Sequence, residues 1–314
     1  MTGPEEPDNL TSMESATETI KRIFEGSTSP VGAQIADEST RYKALEHAVC
    51  PKPAQTRLIA VANQKGGVGK TTSAVNLSAA LARFGCKVLL IDMDPQGNAT
   101  TGMGFSKSTL KKSVYNVLID DEKASDNILK TELEGMDILP SNIDLAGAEV
   151  ELVYKRSREK VLKNALAEVR DRYDYIFIDC PPSLGLLTIN ALAAADSVII
   201  PIQSEYYALE GLSQLMNSIT LVKQHLNPDL NVDGVVLTMY DSRSLISKQI
   251  AEEIRKFFTK RLFEIVVPRN VRLVEASSYG KPIMMHDPKC TGARAYKALT
   301  EEYLTREERD KKQK

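Results

Sequence analysis

Between residues 57 and 304, short apolar runs alternate with longer amphipathic stretches. The runs LIAVA, KVLLID, MDIL, YIFID, SVIIPI, GVVLTM and EIVVP each predict a strand. Several are apolar at every position, the pattern of a strand covered on both faces. Between the first two, Ala74, Leu77, Leu81 and Phe84 recur at helical spacing. In SLISKQIAEEIRKFF the positions Ile246, Ile250, Ile254 and Phe257 predict a helix with that face inward. Alternating strands and helices predict an α/β fold of three layers, a doubly wound and mostly parallel sheet with helices on each side.

The flanks break this rhythm. Residues 1–56 are rich in Ser, Thr, Pro and Glu and carry nine acidic residues against five basic ones. A short helix is expected at ESATETIKRIFEG, with Ile20, Ile23 and Phe24 on one face and Gly26 ending it. CPKPAQ then reads as a linker. The expected organisation is a polar extension over 1–56, one domain over 57–304 and a charged, solvated tail over 305–314.

Composition narrows the function classes. The chain is 42% hydrophobic and 26% charged, enough apolar residue for an ordered core. Its formal net charge is -2, so a nucleic-acid surface has to be a local patch. The four cysteines are far apart, which argues against zinc or a disulfide framework and fits a reducing cytosol. No apolar run approaches the roughly 20 residues needed to span a bilayer, and MTGPEEPDNL lacks the apolar core of a signal peptide. A cytoplasmic location is the expectation.

The chemistry sits at strand ends. LIAVA runs into NQKGGVGKTT and then a helix, the strand–glycine turn–helix context of a phosphate loop. Gly66, Gly67 and Gly69, with Val68 among them, let backbone N–H groups face a triphosphate, and the helix opening at Thr72 adds its dipole. Lys70 is expected to neutralise the β- and γ-phosphates, and Thr71 to offer its hydroxyl to Mg²⁺. Asp92 and Asp94 end the second strand and Asp179 ends YIFID, where open α/β sheets bind ligands. One of the first pair can orient a water on the γ-phosphate or hold Mg²⁺ through water. The plain alternative is a glycine turn with surface lysines and aspartates that cap turns.

The loop departs from G-x-x-x-x-G-K, because Gln64 stands where the first glycine belongs and an extra lysine appears at Lys65. That combination resembles the deviant Walker A motif of the ParA/MinD family of P-loop NTPases. With DMDPQGNATTGMG, DCPPSLGLLTINAL, PIQSEYYALEGL and VVPRNVRLVEASSYGKPI in the same order, residues 57–300 resemble the ParA (Soj-like) partition ATPases. The resemblance implies ATP and Mg²⁺ as cofactors. It implies a homodimer that sandwiches two ATP molecules, with Lys65 reaching the partner's nucleotide. Two facing nucleotides bring roughly eight negative charges together, which a lysine in trans partly offsets. It further implies Asp94 for hydrolysis, Asp179 as a Walker B aspartate supporting Mg²⁺ through water, and Pro268 and Asn270 against the adenine.

By the same resemblance the ATP-bound dimer binds double-stranded DNA without sequence preference, on the nucleoid, and a ParB-like partner stimulates slow hydrolysis and release. From 243 to 272 eight basic residues face three acidic ones, and Arg243 and Arg272 match positions that the family uses for DNA. A non-DNA cargo is the alternative. A MinD-like membrane switch needs a basic amphipathic C-terminal helix, and GARAYKALTEEYLTREERDKKQK is too acidic to favour one.

Overall fold

The structure, a computed structural model, describes residues 52–205 and 208–313. In chain order its elements are β1 (Arg57–Val61), α1 (Lys70–Arg83), β2 (Val88–Asp92), α2 (Asn98–Gly102), α3 (Val114–Leu118), α4 (Ala124–Asn127), β3 (Leu129–Lys130), β4 (Met136–Leu139) and α5 (Leu145–Glu151). They continue with α6 (Val161–Leu166), β5 (Tyr175–Asp179), α7 (Leu186–Ala194), β6 (Ser197–Gln203), α8 (Ala208–His225), β7 (Asn231–Thr238), α9 (Leu245–Phe257), α10 (Val271–Ser278), α11 (Ile283–His286) and α12 (Thr291–Gln313). The helix expected around Ile20, Ile23 and Phe24 lies outside the described residues.

Among the described residues the strands form one sheet in the order β3-β4-β2-β5-β1-β6-β7. Every pairing is parallel except β3 with β4. Strand residues alternate between two cores, which is why the runs are apolar throughout. Leu58, Ala60, Leu89, Ile91, Ile176 and Ile178 pack with α6, α7 and α8 on one face. Ile59, Val61, Val88, Leu90 and Phe177 pack with α1 and α12 on the other. The expected three-layer α/β fold is therefore present.

Three local expectations differ. EIVVP is not a strand: it runs beside β7 through isolated bridges, Val235 with Leu262 and Tyr240 with Pro268. The N–H groups of Glu264 and Ile265 instead donate to the Glu302 carboxylate on α12, both at 2.9 Å. In α9 Ile250 and Ile254 are buried in the core that also holds Val235 and Leu237 of the edge strand β7, but Ile246 and Phe257 are exposed.

The segment expected as a solvated tail continues α12 to Gln313. Arg306 lies over the Phe263 ring at 4.4 Å and donates to the Leu262 carbonyl at 2.6 Å. Glu307 accepts from the Tyr175 hydroxyl at 2.8 Å and pairs with Arg57 at 3.0 Å.

Candidate nucleotide site

Strand register builds the site. β1 leads from Val61 into the glycine loop, and Val61 pairs with Asp179, which in turn pairs with Asp92. Neighbouring strands lie roughly 4.8 Å apart, so the loop and both aspartates share the carboxyl edge of the sheet.

The loop is held open by its backbone. Gly67 and Gly69 have φ of 74° and 86°, a region that strains any residue with a side chain. Gly69 is the N-cap of α1, so the free N–H groups of that helix begin at the loop. Thr238, the last residue of β7, donates its hydroxyl to the Val68 carbonyl at 2.7 Å. On the other flank Lys65 N donates to Asn63 Oδ1 at 3.0 Å, and the Asn63 amide donates to the Pro201 carbonyl at 2.7 Å.

Lys70 is buried, and its ammonium donates to the Lys65 carbonyl at 3.0 Å. Burial pulls its pKa below the ordinary lysine value, while the charges of Asp179 and Asp94 act in the other direction. Lys65 points elsewhere: its ammonium pairs with Glu205 at 2.8 Å, just past the end of β6. The two lysines flanking the glycines therefore already do different things.

Asp179 is fully buried, and neither carboxylate oxygen has a hydrogen-bond partner. The Thr71 hydroxyl and the Lys70 ammonium lie near enough to favour its charged form. Burial first, and the charge of Asp92 second, push its pKa well up. An orphaned, buried carboxylate beside a threonine hydroxyl suits a hydrated divalent cation, whose water would donate to it. Among the described residues no group of three His, Cys, Asp or Glu forms a metal cage.

Asp92 and Asp94 take different parts. Asp92 is fully buried and accepts from Asp94 N at 3.1 Å and from Thr100 N and Oγ1 at 2.8 and 2.7 Å. Burial outweighs those bonds and pushes its pKa up to about 6. Asp94 is also buried, with Oδ1 accepting from Gln96 N at 2.9 Å. Cys180 is buried, and burial raises its thiol pKa, so it is no nucleophile.

Pro268 lies beside Tyr240, two residues beyond the Thr238 that fastens the loop, so the adenine candidates reach the same edge. Asn270 caps α10 by accepting from Arg272 N at 2.8 Å, and its amide donates to the Thr291 hydroxyl. Arg243 and Arg272 are exposed at this edge, each paired with its own neighbour, Asp241 at 3.0 Å and Glu275 at 2.6 Å. A separate cavity of about 570 Å³, lined by residues such as Val117, Lys155 and Glu168, shares no residue with the loop.

Sequence reading missed Thr100, Ser141 and Glu205. All three follow strands that end at the ligand edge, a signal that strand prediction alone supplies only once the strand order is known.

A family model described as an AAA domain matches residues 56–232. The sporulation initiation inhibitor protein Soj of Bacillus subtilis is 56% identical over 246 residues, covering 78% of this chain and 97% of that protein. The chromosome partitioning protein ParA of Myxococcus xanthus is 54% identical over 251 residues, covering 80% and 89%. A crystal structure of cobyrinic acid a,c-diamide synthase from Mycobacterium smegmatis, with bound ADP and magnesium, superposes with a TM-score of 0.66 at 44% identity, covering 72% of this chain and 91% of that one.

Proposed function

The chain belongs to the ParA family of P-loop ATPases, and on that premise we propose that it is a DNA partition ATPase switched by ATP. The observation that carries this reading is the convergence of the glycine loop, buried Lys70, orphaned Asp179 and buried Asp94 on one sheet edge. The substrate is ATP, with Mg²⁺ as cofactor.

The N–H groups of Gly66, Gly67, Val68, Gly69, Thr71 and Thr72 receive the phosphates, and Lys70 offsets their charge. Thr71 and, through water, Asp179 would hold Mg²⁺, which would neutralise charge on the phosphate oxygens. Asp94 orients the water that attacks the γ-phosphorus as its bond to the β-phosphate oxygen breaks, giving ADP and phosphate. Pro268 and Asn270 flank the adenine. Lys65 leaves Glu205 and reaches the nucleotide of a second copy, closing a homodimer. The pair that it gives up is partly exposed and costs at most about 1 kcal/mol.

The dimer then presents Arg243 and Arg272 from both copies to DNA without sequence preference, and a ParB-like centromere-binding protein speeds slow hydrolysis and release. The chain would work in the cytoplasm, on the nucleoid. α12 packs its apolar residues Tyr296, Leu299, Tyr303 and Leu304 into the core, which favours DNA over a membrane as the docking surface. No helix among the described residues is long and apolar enough to cross a membrane. The test is Mg²⁺-dependent ATP turnover measured alone, with DNA, and with DNA and the ParB-like protein. Stimulation only with the full mixture supports the reading, and a rate indifferent to both additions contradicts it.

A further inference from the structure

We propose that Asp92, Thr100 and Ser141 form a buried clamp that positions Asp94, making Thr100 and Ser141 positioning residues for a reaction that they do not touch. The proposal rests on the reading that Asp94 orients the attacking water. The three residues come from separate places: the end of β2, helix α2, and the turn after β4. Because β4 lies next to β2 in the sheet, the turn after β4 meets the loop after β2. All three side chains are fully buried.

The bonds form a closed circuit. Ser141 N donates to Thr100 Oγ1 at 2.8 Å. Thr100 Oγ1 donates in turn to Asp92 Oδ2 at 2.7 Å, beside Thr100 N at 2.8 Å. Asp92 Oδ1 accepts from Asp94 N at 3.1 Å. Ser141 Oγ closes the circuit by donating to the Asp94 carbonyl at 2.7 Å, where Gly97 N also donates at 2.8 Å. An ionised carboxylate can only accept, so the single hydroxyl proton of Thr100 goes to Asp92 while its oxygen accepts from Ser141 N.

Asp94 is thereby gripped on both sides, its N–H by Asp92 and its carbonyl by Ser141. Fully satisfied networks of this kind are rigid. Adjacent Asp179 is left without a partner, so the circuit serves Asp94 and not the acidic edge in general. A group that aims a water needs placement to a fraction of an ångström, and rates fall steeply when it drifts.

The test uses the full chain and three variants. Thr100→Val keeps the shape and removes the hydroxyl, Thr100→Ser restores it, and Ser141→Ala removes the hydroxyl that donates to the Asp94 carbonyl. ATP turnover, ATP affinity and thermal melting are measured for each. Thr100→Val and Ser141→Ala are expected to lose roughly ten- to hundredfold in kcat with ATP affinity near that of the parent, and Thr100→Ser to recover most of the loss. Parental kcat in both variants, or kcat and affinity lost together with the melting temperature, overturns the clamp. Should Thr100→Val fail to fold, Ser141→Ala decides alone. Asp94→Ala separates the two readings. If it abolishes turnover while the clamp variants run at the parental rate, only the clamp fails. If it turns over normally, the role of Asp94 and the clamp fall together.

Discussion

Asp179 is folded against its own electrostatics. Its pKa is raised, first by burial and then by Asp92, so between the ordinary carboxylate pKa and the raised one the folded protein holds a proton that the unfolded chain has released. Stability therefore falls as pH rises through that window. Asp179→Asn is expected to stabilise the nucleotide-free protein by about 1–3 kcal/mol near pH 7, with the gain fading towards about pH 4, and to remove the extra stabilisation by Mg²⁺ with ATP. Thermal melts across pH, with and without Mg²⁺ and ATP, test both halves, and a destabilised variant would refute the strain. The two lysines separate in the same manner. Lys70→Ala should lose ATP binding, because its ammonium lies inside the loop. Lys65→Ala should keep most affinity and lose ATP-dependent dimerisation, read by sizing columns beside nucleotide titrations. Normal dimerisation of Lys65→Ala would end its role in trans.

At the scale of the element, α12 is the clearest departure from the sequence reading. Deleting residues 305–314 removes Arg306 from Phe263 and Glu307 from Arg57 and Tyr175. The Arg57 guanidinium, 32% exposed, keeps Asp233 at 3.2 Å, so the full penalty of a broken buried pair is discounted. A loss of about 1–3 kcal/mol is expected, visible in denaturant melts, whereas a solvated tail would cost nothing. The central strands were legible because burial on both faces forces apolar residues at every position. EIVVP carries the same signal, but whether its N–H groups meet a strand or Glu302 depends on a helix nearly forty residues away. Ile246 and Phe257 continue the helical period of buried Ile250 and Ile254 yet stay exposed. The phosphate loop was legible because its chemistry is local. Thr100, Ser141 and Glu205 were not, because their partners are set by the strand order, which no local pattern encodes.

For the whole molecule, the claim is that ATP decides whether two copies share one DNA-binding track. Arg243 and Arg272 are exposed, Arg243 paired with Asp241 and Arg272 with Glu275 and Asp287, surface pairs weak enough for phosphate to displace. A monomer offers few contacts. Two copies on one rigid body gain through effective concentration, and binding should fall steeply with salt as counterions are released. Arg243→Ala and Arg272→Ala should weaken binding about equally on all sequences and flatten the salt slope by roughly one unit per lost contact in each subunit, with ATP binding unchanged. The most direct measurement takes Asp94→Ala, which should bind ATP without consuming it, and titrates it against double-stranded DNA of unrelated sequences at several salt concentrations. Tight, sequence-indifferent, salt-sensitive binding with ATP, and weak binding with ADP, is the result that the account predicts. Equal DNA affinity in the two nucleotides would contradict it.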